Sequence, residues 1–219
     1  MNDRFRNLLS LGAAVATSAL LAAGPAAAAT AATAAAPVAP ATKTLANLQA
    51  AYNGESNAKA KYLASAKKAD EEGFGAAASL FRAAARAEEV HAEAHGRVIR
   101  KLGGEPTAKI ETPAIASTKD AIEAAIKGES YERDTMYPEF IAAARTEGQK
   151  DALESFSLAK TAEAEHAKLY QAALGDLKVG KSAAKKFYVC TVCGLTTTNL
   201  DFSKCRSCFQ PKDKYVEVS

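Results

Sequence analysis

The sequence predicts an all-α four-helix bundle with one long crossover, followed by a small metal-bound domain. Three observations carry that expectation. Helical patterning runs from about Lys43 to Leu174 and is broken at three places. Alanine dominates, tryptophan is absent and β-branched runs are few, which favours close-packed helices over sheet. All four cysteines fall in the last thirty residues. The 48% apolar content suffices for a real core, and a formal charge of +3 with no basic stripe argues against a nucleic-acid partner.

The N-terminus reads as a separate element. "MNDRFR" is short and basic, "NLLSLGAAVATSALLAAG" is apolar, and "PAAAA" offers the small residues a signal peptidase needs. Residues 1–29 are expected to be a cleaved signal peptide, and 30–42 an Ala/Pro-rich tether. The alternative is an uncleaved anchor, since the run is nearly long enough to span a bilayer. Arg4 and Arg6 flank Phe5, a degenerate twin-arginine pattern at best. The mature protein is expected to be soluble, exported and periplasmic, with no membrane contact after cleavage.

The bundle is expected over 43–176. "EEGFGAA" and "TEGQKD" are tight turns, whereas "LGGEPTAKIETPAIAST" carries two Gly and two Pro and must be a long connection. Helices follow at about 43–71, 75–101, 119–147 and 150–174. Short turns within each pair and a long link between pairs describe a bundle with one crossover.

The two hairpins resemble each other. "NGES" at 53–56 matches "KGES" at 127–130, and "LFRAAARAEEVHAEAH" matches "SFSLAKTAEAEHAKLY". In that register Glu55 lies over Glu129, Glu88 over Glu163 and His91 over His166. The 18 residues from Glu55 to Gly73 span about 27 Å at ~1.5 Å per residue, and the return to Glu88 and His91 spans roughly 20–24 Å. Each Glu-x-x-His shares one helix face, so two packed hairpins gather four carboxylates and two imidazoles at one level. Ala-rich helices usually carry solvated Glu, and a single Glu-x-x-His means little. Two in register, each paired with a "GES", point to a dinuclear metal site. One Glu from each of two helices and a Glu-x-x-His from each of two others is the ligand set of di-iron and di-manganese bundles. Glu132, three after Glu129, has Ala58 as its counterpart and is an unpaired seventh ligand candidate. His95, four after His91, is expected on the surface or behind the ligands.

A linker is expected over 177–186, then a four-cysteine domain over 187–219. Cys190-x2-Cys193 and Cys205-x2-Cys208 suit a tetrahedral thiolate site, while export makes disulfides the competing reading. So short a segment cannot fold on buried surface alone, and a metal supplies the missing stability. Phe187, Tyr188, Phe202, Phe209 and Tyr215 are its expected aromatic core. Thiolates do not separate zinc from iron.

From residue 43 onward the chain resembles rubrerythrin, a ferritin-like di-iron bundle followed by a rubredoxin-like iron domain. "GESNAKAKY", "EEVH", "GESYERDTMYP", "EAEH" and the two Cys knuckles carry the resemblance in that order. It implies Glu55, Glu88, Glu129, Glu132, Glu163, His91 and His166 as ligands of two irons, with Glu132 and His91 exchanging as redox state changes. Tyr62 and Tyr137 match tyrosines near the family's metal site. It implies reduction of hydrogen peroxide to water, protecting against oxidative stress, with electrons relayed through a mononuclear iron at Cys190, Cys193, Cys205 and Cys208. It further implies a homodimer in which one subunit's four-cysteine domain serves the other's di-iron site. The electron donor is unidentified. Alternative functions are a ferroxidase that sequesters iron and a non-catalytic, zinc-stapled binding module. One departure stands out: the second knuckle reads Cys205-Arg206-Ser207-Cys208-Phe209, where a glycine normally follows the last cysteine.

Overall fold

The structure is a computed structural model describing residues 42–111 and 114–219. The expected signal peptide and nearly all of the tether lie outside the described residues. Four long helical stretches form the bundle: α1 (Lys43–Glu72), α2 (Gly75–Lys101), α3 (Thr118–Tyr131) continued by α4 (Tyr137–Thr146), and α5 (Lys150–Asp176). Among the described residues, no helix is long and apolar enough to cross a membrane.

Local chemistry explains the helix starts. Thr42 accepts from the Leu45 N–H at 3.1 Å and Ser117 from the Asp120 N–H at 3.1 Å, so both hairpins open on a side-chain cap. The hairpins also cap each other. Glu147, in the second turn, accepts from the Lys43 and Thr44 N–H groups at 3.0 Å, and Glu72, in the first turn, accepts from the Thr118 N–H at 2.8 Å. Hydrogen bonds to otherwise orphaned amides hold both carboxyls below the usual range. The crossover is tied along α1 by Asn53 and Asn57. Asn53 Oδ1 accepts from the Lys109 N–H, and Asn57 Nδ2 donates to Lys109 O.

A π-helical turn, Glu132–Met136, joins α3 to α4, a feature the helical pattern does not reveal. Tyr137 N–H bonds Glu132 O five residues back, and Pro138 brings no donor of its own. The turn corrects a phase. Tyr137 is eight residues after Glu129, which on an α-helix puts it about 80° off the Glu129 face; one extra residue in the turn brings it back to within about 20°. Tyr62, in the other hairpin, lies seven after Glu55 and needs no correction.

The C-terminal segment folds as a three-stranded antiparallel sheet in the order β2-β1-β3: β1 (Phe187–Cys190), β2 (Thr196–Thr197) and β3 (Tyr215–Val218). It packs on the bundle and shares its core. Phe187 and Val189 join the cluster of Tyr62, Phe81 and Tyr170, so Phe187 belongs to the bundle's core rather than to a separate aromatic centre. Phe209 is 72% exposed, which also departs from the expected core, leaving Phe202 and Tyr215 in edge contact at 5.3 Å.

A candidate dimetal centre beneath a four-cysteine site

Glu55 on α1, Glu88 and His91 on α2, Glu129 on α3, and Glu163 and His166 on α5 all turn inward, each at most 2% exposed. They form two overlapping sets. Glu55, Glu88, His91 and Glu163 each bring one ligand atom within 4.8 Å of the others, and so do Glu88, Glu129, Glu163 and His166. Glu88 and Glu163 belong to both sets, as carboxylates bridging two ions do. Glu132 is half-buried at the head of the π-turn and outside both sets. Its pKa is nonetheless raised well above the ordinary value, by burial and then by the charges of Glu55, Glu129 and Glu163, so its carboxyl borders the same cluster.

The hydrogen bonds fix which imidazole nitrogen faces the carboxylates. Thr196 Oγ1 donates to Gly194 O at 3.1 Å and must therefore accept from His166 Nε2–H, at 3.0 Å. Cys193 O can only accept, so His91 Nε2 carries the proton across 3.1 Å. Both Nδ1 atoms are left facing acids: His91 Nδ1 is 2.9 Å from Glu88 and 3.1 Å from Glu163, and His166 Nδ1 is 3.0 Å from Glu163 and 3.4 Å from Glu129. A lone pair held against carboxylate oxygens is repulsive unless a cation or a proton lies between them. Glu55 Oε2, Glu88 Oε1, Glu129 Oε2, both Glu163 oxygens and His166 Nδ1 are buried without a hydrogen-bond partner. Leaving so many acceptors unpaired costs several kcal/mol, on the order of 1–3 for each group. Two metal ions satisfy them together, so the residues fit the group.

Titration follows the same crowding. Burial, then the charges of Glu163 and Glu129, push Glu88 up to about 8. Burial, then Glu88 and Glu163, raise Glu55 well above its ordinary value. Glu163 goes the other way, to about 2: burial opposes it, but both histidines outweigh burial. Burial alone would lower His91 and His166, yet Glu163 and Glu129 respectively carry them well above 6.5.

The two tyrosines each reach across to the other hairpin. Tyr62 donates to Glu129 Oε1 at 2.6 Å, and Tyr137 donates to Glu55 Oε1. His95, left open between surface and interior by the sequence, is fully buried. Its Nε2 is 3.0 Å from the Tyr137 hydroxyl and its Nδ1 2.8 Å from Ser155 Oγ. Burial, then the charge of His91, depress it to about 3, so the ring is neutral. Ser155 and Thr196 escape sequence reasoning because lone hydroxyls carry no motif.

Above the imidazoles sit the cysteines. All four are free thiols, and Cys190–Cys208 and Cys193–Cys205 have Sγ atoms 3.7 Å apart, far too long for disulfides. A tetrahedral site with metal–sulfur bonds of about 2.3 Å has an edge of about 3.8 Å, so the donor set fits a single metal ion. The glycine missing from the second knuckle does not break the turn. Phe209 adopts the left-handed conformation (φ 58°) and its N–H reaches Cys205 O at 3.0 Å, as Gly194 (φ 75°) reaches Cys190 O at 2.9 Å. Gly194 is constrained a second way, since a Cβ there would overlap the His91 ring.

Comparison with known proteins agrees with this geometry. The family model for rubrerythrin matches residues 46–174. The chain belongs to the rubrerythrin family. Nigerythrin of Nitratidesulfovibrio vulgaris is 39% identical over 174 residues, covering 79% of this chain and 85% of its own. Rubrerythrin-2 of Clostridium acetobutylicum is 34% identical over 171 residues, covering 77% and 92%. A solved structure of nigerythrin, fully reduced and all ferrous, superposes with a TM-score of 0.73 at 37% identity, covering 82% of this chain and 91% of that one. A bacterioferritin from Desulfovibrio desulfuricans, 23% identical, shares the fold with a TM-score of 0.58 over 63% of this chain and 81% of its own. As a rubrerythrin-family protein the chain carries a di-iron centre and a Cys-bound iron, on a ferritin-like bundle with a rubredoxin-like domain. Its chemistry is that of an oxidoreductase.

Proposed function

We propose that the protein reduces hydrogen peroxide to water, taking electrons through its four-cysteine site. The balance is one peroxide, two electrons and two protons to two waters. Irons held by Glu55, Glu88, His91, Glu129, Glu163 and His166 would supply two electrons together, and an iron held by Cys190, Cys193, Cys205 and Cys208 would return them singly. The observation that carries the reading is the His91 imidazole, which links the two sites: Nε2–H donates to Cys193 O, while Nδ1 sits among Glu88 and Glu163. Cys193 is itself one of the four thiols, so a covalent and hydrogen-bonded path runs from sulfur to a ligand nitrogen. Iron storage requires no such path. The His91 link closes within one chain, and the proposal keeps the homodimer in which one subunit's four-cysteine domain serves the other's di-iron site.

Around that path, Glu88 and Glu163, shared by both ligand sets, would hold both metals, and burial of the cluster keeps bulk water away. Glu132, half-buried at the head of the π-turn, would exchange with His91 as ligand when the redox state of the irons changes. The test is to reduce the iron-loaded protein without oxygen and mix it with hydrogen peroxide. Peroxide should vanish while the visible bands of the ferric four-cysteine site return. Peroxide that persists beside the fully reduced protein, although air oxidises that same protein, would end the reading, and a 24-subunit assembly on gel filtration would favour iron storage. Glu132→Ala should keep the fold and some iron but lose most turnover, roughly a hundredfold. Export to the periplasm belongs to the same proposal; N-terminal sequencing of the mature protein should find residues 1–29 removed.

A further inference from the structure

Two matched routes lead away from the carboxylates, and they end differently. In the repeat register, Tyr137, His95 and Ser155 correspond to Tyr62, Tyr170 and Leu80. On the first route, Glu55 is joined to Tyr137, Tyr137 to His95, and His95 to Ser155 by an unbroken line of hydrogen bonds. On the second, Glu129 is joined to Tyr62, but the Tyr170 hydroxyl is buried with no hydrogen-bond partner, and the place of Ser155 is taken by Leu80, 2% exposed. Phe81 lies against both tyrosines, at 5.9 and 5.2 Å between ring centres. That side is sealed by hydrocarbon.

Direction can be assigned to the first route. A Glu55 that binds metal is ionised and only accepts, so the single Tyr137 proton points to Glu55. The Tyr137 oxygen must then accept from His95 Nε2–H. A neutral imidazole has one N–H, so Nδ1 is bare and accepts from the Ser155 hydroxyl. Every donor points toward the metal cluster. At the outer end, Ser155 lines a surface pocket of about 300 Å³ together with Arg97, Lys101, Asp151, Glu154 and Val192.

We propose that Ser155, His95 and Tyr137 form the proton entrance of the di-iron site, carrying protons from water in this pocket to the Glu55 edge. In one transfer, the Tyr137 proton passes to Glu55 Oε1, the oxygen it already faces, and Tyr137 takes one from His95 Nε2. His95 takes one at Nδ1 from Ser155, and Ser155 takes one from a pocket water. The net change is one proton moved inward, with no electron moved. The imidazole ends in the other tautomer, with its proton on Nδ1, and that proton must return to Nε2 before the next transfer. The need for two protons per peroxide rests on the proposed function; the path itself does not.

The test separates the two. With only three histidines in the chain, nitrogen-15 NMR of full-length protein loaded with zinc, which is diamagnetic, can resolve His95. The expected result is a proton on Nε2 and none on Nδ1, with that proton exchanging into heavy water at least tenfold more slowly in Ser155→Ala. A merely structural Ser155 would leave exchange unchanged or faster. Either that outcome or a proton on Nδ1 overturns the proposal, whether or not the iron protein reduces peroxide. In the iron-loaded protein, His95→Gln should retain a donor toward Tyr137 and full iron content, yet slow oxidation of the reduced centre by peroxide about tenfold; unchanged oxidation with full iron also overturns the proposal. Wild-type iron protein that fails to consume peroxide, beside a positive exchange result, would refute the proposed function alone.

Discussion

Glu55 and Glu129 occupy matching places in the two hairpins, and each accepts a hydrogen bond from a tyrosine of the opposite hairpin. Beyond those tyrosines the match ends. Behind Tyr137 stand a neutral imidazole and a hydroxyl that open on solvent; behind Tyr62 stand a phenol without a partner, a phenylalanine and a leucine. The cysteine knuckles repeat the lesson. Both end in a left-handed residue, but Gly194 lies against the His91 ring, whereas Phe209 faces water. The repeat supplies the inward carboxylate and imidazole set twice, and different side chains around each copy give the two halves different surroundings.

The largest effect should come where the halves are joined. Glu163 faces both imidazoles, at 3.1 and 3.0 Å. Glu163→Ala should therefore empty both halves, leaving about one iron per chain at the cysteines and cutting peroxide turnover on the order of a thousandfold. Iron analysis that found one half still loaded would show the two sites to be independent.

Removing metal should erase the difference between the halves and expose a shared pH dependence. Glu88 rises from 4.5 to about 8 on folding, so its penalty grows as pH climbs between those values. His91 and His166 lie above 6.5 in the folded state, so their stabilisation is complete below 6.5 and lost as pH rises through the folded value. Glu163 is depressed, and its contribution is already complete above 4.5. The metal-free protein should thus lose on the order of 5 °C in Tm between pH 6 and 9. Calorimetry of metal-loaded protein should show little change over that range.

Next come the tyrosines. Tyr137→Phe should slow peroxide turnover about tenfold, because it cuts the route leading to solvent, whereas Tyr62→Phe should cost about twofold, the loss of one neutral donor to a ligand carboxylate. Equal effects under stopped-flow would abolish the functional contrast between the halves. Smallest are the knuckle exchanges. Gly194→Ala should destabilise by about 2 kcal/mol, through strain at positive φ and collision with His91. Phe209→Gly should stabilise by about 0.5–1 kcal/mol, by relieving a left-handed non-glycine residue that buries little. Denaturant titration of the iron-loaded variants measures both.

Much of the site was legible in the sequence because helices convert spacing into direction. His166 follows His91 by 75 residues and Glu163 follows Glu88 by 75, while Glu129 follows Glu55 by 74. That missing residue is made up between Glu129 and Tyr137, where the π-turn lies, and Tyr137 again follows Tyr62 by 75. The discrepancy was visible, but its consequence was not, since a π-turn has no propensity signature. His95 was equally visible without its role. Four residues from His91 fixes an angle on α2, but only the packing of α4 and α5 around it decides between water and Tyr137.

The sequence by itself determined the four helices, their pairing into two hairpins, the six inward carboxylates and imidazoles and the two Cys knuckles, because each follows from local periodicity or from short, rigid spacing. Tertiary structure alone decided that the knuckle loop lies on the imidazoles, that Phe187 joins the bundle core and that one flank of the site carries a hydrogen-bonded chain to a surface pocket while the other is closed by hydrocarbon. Those outcomes depend on backbone carbonyls, lone hydroxyls and hydrocarbon surfaces meeting across long stretches of chain, 102 residues between His91 and Cys193 and 60 between His95 and Ser155, and contacts at that range leave no period in the sequence.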